Sequence, residues 1–202
     1  MIRAFLAVEL NDTLRASLAD IQQNLKQGLN RHLPPGVRLS WVQPSSIHVT
    51  VKFFGDTDAQ LIQPLRSALE PLMAGALPIS LPLERLGVFP SSQHPRVLWI
   101  APTTQWEQGQ EAERLTRLHR MVEDACQPLG LPPEARPFRP HLTLARIKQS
   151  ERQVGHALME TGLLDRPLSF PLLAASMVLM KSELRSSGSV YTKLWEIGSP
   201  AS

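Results

Sequence analysis

Three things are scarce in this chain of 202 residues, and each scarcity excludes something. There is one cysteine, Cys126, so no intramolecular disulfide can form, and no histidine or cysteine stands beside it at metal-ligand spacing. That usage points to a reducing, cytoplasmic compartment. No uncharged apolar run approaches the roughly 18 residues of a membrane span. The opening Met1 to Glu9 turns acidic at Glu9, where a signal peptide would stay apolar, so neither export nor membrane insertion is expected. Surplus charge is scarce too: 21 basic against 18 acidic residues leave a net +3, too little for the field of a dedicated nucleic-acid coat.

What is present is an ordinary apolar content, 43%, without disordered linkers or low-complexity tracts. A chain of this length, 1–202, buries a core without staples, either as one sizeable domain or as two small lobes. The positive charge is unevenly spread. From Ala135 to Ser150 stand Arg136, Arg139, Arg146 and Lys148 with no acidic residue among them.

Two tetrapeptides organise the rest: His48-Val49-Thr50-Val51 in one half and His141-Leu142-Thr143-Leu144 in the other. Each sets a histidine and a threonine two apart among apolar residues, the pattern of a strand with one buried face. Successive strand side chains point to opposite faces, so His48 and Thr50 share one face, while Ile47, Val49, Val51 and Phe53 share the other. By the same parity Lys52 joins the polar face, where a lysine needs no function. One such tetrapeptide is ordinary in a solvent-facing strand, but with six histidines in the chain, two copies in matching form are not.

The intervening chain alternates helices and strands. Arg3 to Leu10 reads as an opening strand, and Asn11 or Asp12 caps a helix ending near Gly28 with Leu14, Leu18, Ile21 and Leu25 on one stripe. Arg38 to Val42 is a short strand before the turn Gln43 to Ser46. Asp58 caps a helix to Met73, although Pro64 sits deep in it. Ile79 to Val88 and Arg96 to Ala101 form a hairpin. A helix over Gln105 to Gln127 precedes the proline-rich loop Pro128 to Pro140, and Ser150 caps a short helix to Thr161. Strands over Leu168 to Met180 and Val190 to Ile197 close the chain about the turn Arg185 to Ser189.

Two histidines facing one substrate supply a base and an acid near neutral pH, which suits phosphodiester cleavage without a metal. Thr50 and Thr143 would donate hydroxyls to the non-bridging oxygens where charge develops. A two-histidine metal site is the weaker chemical alternative, because hydrolytic zinc sites add a third histidine or a carboxylate and neither motif strand carries one.

With these motifs the chain resembles the 2H phosphoesterases, specifically the bacterial RNA 2′,3′-cyclic phosphodiesterases also called 2′-5′ RNA ligases. The likeness extends to Arg3-Ala4-Phe5-Leu6-Ala7-Val8-Glu9-Leu10, Leu98-Trp99, Arg136-Pro137-Phe138-Arg139-Pro140-His141, Lys181-Ser182-Glu183-Leu184 and Tyr191-Thr192-Lys193-Leu194. The resemblance implies an α+β fold of two lobes related by a pseudo-twofold axis, each an antiparallel sheet with helices outside, and an active-site cleft between them. It implies hydrolysis of RNA 3′ ends carrying a 2′,3′-cyclic phosphate to a 2′-phosphate, with reversible 2′-5′ joining, and neither metal nor nucleotide cofactor. By the same resemblance His48 is the proton donor and His141 the proton acceptor; the residues alone do not assign these roles.

Other candidates are weaker. Arg146 lies three after Thr143 and needs a bulge or the strand's end to reach the motif face. Arg139 is a substrate contact or a solvated loop residue, Tyr191 is an open candidate for stacking on a terminal base, and Phe5 reads as core. His32, His94, His119 and His156 read as surface, and Cys126 as core. Two other functional classes stay open: a non-catalytic module that binds RNA ends, and a hydrolase of small cyclic nucleotide phosphates, against which the basic surroundings of His141 favour RNA. A two-lobed chain closes its own cleft, which favours a monomer.

Overall fold

The computed structural model describes residues 1–185 and 188–198; Ser186 and Ser187, within the expected closing turn, lie outside the described residues. In chain order the elements are β1 (Ile2–Val8), α1 (Asp12–Asn30), β2 (Ser40–Trp41), β3 (Val49–Thr57), α2 (Ile62–Met73), β4 (Ile79–Leu83), β5 (Arg85–Phe89), β6 (Val97–Ala101), α3 (Gln110–Cys126), β7 (Leu142–Arg146), α4 (Glu151–Glu160), β8 (Phe170–Ala174), β9 (Ser176–Arg185) and β10 (Gly188–Gly198).

The strands form two antiparallel halves. β10, β9, β1 and β3 lie side by side in one; β7, β6 and β5 form the other, with β2 beside β7. The halves meet where β3 pairs with β7, Val49 lying opposite Leu142. The order β3-β1-β9 on one side answers β7-β6-β5 on the other, which is the expected pseudo-twofold arrangement.

Helices cross between the halves. The amide of Gln22, buried on α1, donates to the carbonyls of Val42 (2.8 Å) and Leu144 (2.9 Å), so the helix that follows β1 is fastened beneath β7. α3, which follows β6, is fastened beneath β3 by the Lys52–Glu123 pair described below. Inward residues of both halves, among them Leu6, Val49, Leu98 and Leu142, share one core with Leu18, Leu65, Leu118 and Leu158 of the helices. Burying a side chain of this kind contributes about 1.5–3 kcal/mol.

Local signals account for most element ends. The Asn11 side chain accepts the N–H of Leu14 at 2.9 Å and starts α1, a cap of a kind contributing about 1 kcal/mol. Asp58 accepts the N–H of Gln60 and caps a single 3-10 turn instead, so α2 begins at Ile62 and Pro64 falls in its first turn, where a missing N–H costs nothing. Ser150 precedes α4 but sits in the left-handed region (φ 61°) and makes no side-chain cap bond. The expected strand from Ile79 to Val88 is two: β4 leaves for a separate ribbon with β8, and β5 pairs with β6. Pro82 and Pro171 face each other in that ribbon, positions a broader sheet would not accept because proline gives no N–H to a ladder. The strand from Leu168 likewise divides at Ala175.

Candidate active site

The Val49–Leu142 pair fixes the site. In an antiparallel pair the neighbours of opposed residues are themselves opposed, which brings His48 across from Thr143 and Thr50 across from His141. Val49 and Leu142 point into the core, 2% and 0% exposed, so the four polar side chains turn to the other face. Opposed strand positions lie about 5 Å apart and diagonal ones about 7–8 Å, leaving room for one phosphate between the histidines.

Both strands then bulge at the residue after the threonine. Register along β1 passes from Ala7 opposite Thr50 to Leu6 opposite Lys52, skipping Val51; along β6 it passes from Trp99 opposite Thr143 to Leu98 opposite Ala145, skipping Leu144. An extra residue reverses the alternation of everything beyond it. Arg146 therefore comes round to the face of Thr143 and lines the cleft, and Phe53 does the same beyond Thr50, 41% exposed under the guanidinium of Arg3 at 4.9 Å. Simple parity, which put Phe53 in the core and Lys52 outside, is overturned: Lys52 is 1% exposed.

Each histidine is held alike. Nδ1 of His48 lies 2.8 Å from the carbonyl of Ser46, and Nδ1 of His141 lies 2.7 Å from the carbonyl of Arg139. A carbonyl only accepts, so each Nδ1 carries the hydrogen and each Nε2 is free to take or give a proton. Burial holds the His48 imidazolium below the ordinary histidine range; the Ser46 carbonyl opposes that, Arg15 adds to it, and Glu9 opposes it again. Burial also lowers His141, against the Arg139 carbonyl and with help from Arg146.

The cleft is a hollow of about 680 Å³ lined by both histidines, both threonines, Arg146 and Tyr191. Tyr191 meets His48 edge-on at 5.2 Å and Phe5 at 5.0 Å. Phe5 is 3% exposed, lies flat on the His48 ring at 4.6 Å and belongs to a small cluster on this face with Ala7, Val178 and Met180. It shapes the histidine from beneath. Arg139 is exposed, precedes β7 in the loop, and lines a second hollow on the far side of His141 instead of the cleft.

Sequence reasoning missed the support behind the site. Lys52 donates to Glu123 Oε2 at 2.6 Å and to the carbonyl of Pro132 at 2.9 Å, while the N–H of Glu134 donates to the same carboxylate oxygen at 3.2 Å. His119, expected at the surface, stacks on Phe138 at 4.3 Å with its rings 8° apart and stands 3.5 Å from Glu123 Oε1. Together these tie the loop that delivers the Arg139 carbonyl and His141 to α3 and β3. A lysine flanked by Val51 and Phe53 on a strand was the one available signal, and the bulge hides it. Cys126 is core as expected, its thiol pushed up to about 11 by burial. Among the described residues no cluster of three or more His, Cys, Asp or Glu side chains is arranged to hold a metal ion.

The sequence model of the family described as the 2′-5′ RNA ligase superfamily matches residues 10–183 of the chain. The chain belongs to the 2′-5′ RNA ligase superfamily. Among relatives of this superfamily member, the RNA 2′,3′-cyclic phosphodiesterase of Aquifex aeolicus is 32% identical over 77% of this chain and 79% of its own. That of Methanothermobacter thermautotrophicus is 28% identical over 96% of each. A crystal structure of a Thermus thermophilus protein superposes with a TM-score of 0.70 at 26% identity, covering 98% of this chain and 97% of that one. Escherichia coli LigT, at 23% identity and 0.62 over 98% and 96%, shares the fold. The α+β architecture with a cleft between two antiparallel halves is that of the superfamily. No helix among the described residues is long and apolar enough to cross a membrane.

Proposed function

We propose that this chain hydrolyses RNA 2′,3′-cyclic phosphate ends to 2′-phosphates by two-histidine acid and base chemistry, and that an RNA 5′-hydroxyl can replace water to give a 2′-5′ link. The observation that carries the reading is the pairing of His48–Thr50 with His141–Thr143 about Val49–Leu142, each Nδ1 committed to a carbonyl and each Nε2 free. Two relatives across most of the chain's length bear the name RNA 2′,3′-cyclic phosphodiesterase.

In this reading His48 protonates the departing O3′ and His141 takes the proton of the attacking water. The charges nearby do not divide the roles: Arg15 disfavours the proton on His48 more than Glu9 favours it, and Arg146 disfavours it on His141. Thr50, Thr143 and Arg146 stabilise the non-bridging oxygens, where loss of one such donor costs about 10²–10³ in rate. Tyr191 contacts the substrate from the His48 side. Proton transfer to and from fixed imidazoles needs no metal, and the chain acts as a single two-lobed unit. The test is incubation of the purified protein in EDTA with a short RNA ending in a 2′,3′-cyclic phosphate. A 2′-phosphate product is expected; a 3′-phosphate, or an inert protein that still binds the RNA, would refute the reading.

A further inference from the structure

His141 borders two hollows, and among the described residues it is the only one that lines both. Behind it, away from His48, a hollow of about 480 Å³ lies over β5 and β6, walled by Phe89, Trp99 and Trp106 with Arg85 and Arg139 beside them. We infer that this second hollow receives the terminal nucleoside of an incoming RNA 5′-hydroxyl end, the nucleophile of 2′-5′ joining. The inference rests on the function proposed above and adds to it the place of the second strand.

In-line displacement at phosphorus brings the nucleophile in opposite the leaving oxygen. With His48 at O3′, the entering group comes from the side of His141, whose free Nε2 takes its proton. The 5′ oxygen bonds to phosphorus as its proton passes to neutral His141; the P–O3′ bond breaks and O3′ takes the proton of His48. The products are a 2′-5′ diester and a free 3′ hydroxyl, with one proton moved between the two imidazoles. A nucleoside bonded to that 5′ oxygen must then lie beyond His141, where the second hollow is.

The hollow is built for a base. Phe89 meets His141 edge-on at 5.2 Å and leans on Trp99 at 5.0 Å, so an aromatic wall runs continuously from the proton acceptor into it. The Trp99 indole lies flat across Gly87, opposite it on β5, where a Cβ would come within 2.3 Å of two ring atoms. Arg85 sits over that indole at 5.2 Å, and among the described residues neither its buried Nε nor the buried Trp99 Nε1 has a hydrogen-bond partner. Aromatic shelves accept any base by stacking, and the guanidiniums of exposed Arg139 and of Arg85, which also donates to Glu107 Oε1 at 2.9 Å, suit the phosphates that follow it.

The experiment supplies cyclic-phosphate RNA at fixed concentration with a 5′-hydroxyl oligonucleotide at rising concentration, and measures joined and hydrolysed product. Wild type is compared with Arg85→Ala and with Thr116→Trp, which fills the hollow from its α3 wall. In both variants the oligonucleotide concentration for half-maximal joining should rise about tenfold or more, the scale of one lost base stack, with hydrolytic kcat/KM within about twofold of wild type. Joining unchanged in both variants would overturn the inference. So would hydrolytic KM rising in step, which would seat the cyclic-phosphate strand there instead, or a wild type that hydrolyses but never joins. A wild type that does neither sinks the proposed function and this inference with it.

Discussion

Replacing Lys52 with methionine should be among the most damaging single changes outside the cleft, although no residue of the cleft is altered. The ammonium is 1% exposed and bonds Glu123 at 2.6 Å and the Pro132 carbonyl at 2.9 Å. Methionine fills much the same volume and leaves the Glu123 carboxylate, 10% exposed, with the Glu134 N–H at 3.2 Å as its hydrogen-bond partner among the described residues, His119 standing 3.5 Å from Oε1 without a hydrogen bond to it. Stranding one member of a buried pair costs about 3–5 kcal/mol. With a urea slope near 2 kcal/mol/M, that lowers the unfolding midpoint by about 1.5–2.5 M. Removing both charges, Lys52→Met with Glu123→Leu, abolishes the stranded carboxylate and leaves the Pro132 carbonyl and Glu134 N–H unmet, at most about 1–3 kcal/mol each. The double variant should therefore be clearly less destabilised than the sum of the two single variants. A loss below about 1 kcal/mol in Lys52→Met, or simple additivity in the double, would refute the claim that this pair fastens β3 to α3 and to the loop before His141.

Three further outcomes follow from the site. Thr50→Val and Thr143→Val should each lower kcat on cyclic-phosphate RNA by about 10²-fold while far-ultraviolet circular dichroism stays as in wild type; equal activity would remove the hydroxyls from the mechanism. The pH profile of kcat/KM should be bell-shaped and lie acid of an unperturbed pair, because burial lowers both histidines; Arg146→Gln, by removing the cation that lowers His141, should move one limb to higher pH, and an unmoved profile would separate Arg146 from His141. Stability should fall as pH drops: His48, His119 and His141 are all lowered in the fold, so the unfolded chain binds their protons first, and the loss begins near the unfolded value of about 6.5 and continues down to the lowered folded values. Unfolding midpoints measured from pH 8 to pH 5 test this, and a midpoint constant over that range would contradict it.

Much of this arrangement is legible in the sequence because it depends on local rules. Asn11 marks the start of α1, the leucine stripes mark the helices, and the two His-x-Thr tetrapeptides carry their own alternation. The bulges at Val51 and Leu144 are not legible, because the extra residue in each is an ordinary apolar one and only the register against β1 and β6 reveals it. From them follow the entry of Arg146 and Phe53 into the cleft and the burial of Lys52. The contacts of Gln22 with Leu144 and Lys52 with Glu123 span 122 and 71 residues and depend on helices crossing between halves, which no local pattern encodes. His119 reads as a helix-surface residue until Phe138, from a distant loop, is laid on its ring. Ile79 to Val88 reads as one strand because its apolar run is continuous, and pairing partners alone divide it.

The central claim, that the two histidines work on one phosphate as a unit, is tested most directly by turnover of cyclic-phosphate RNA in His48→Ala, His141→Ala and the double variant. Each single variant should lose about 10³-fold or more in kcat, and the double should be little worse than either, because half an acid–base pair is worth little alone. A single variant within about tenfold of wild type, or losses that multiply in the double, would contradict it.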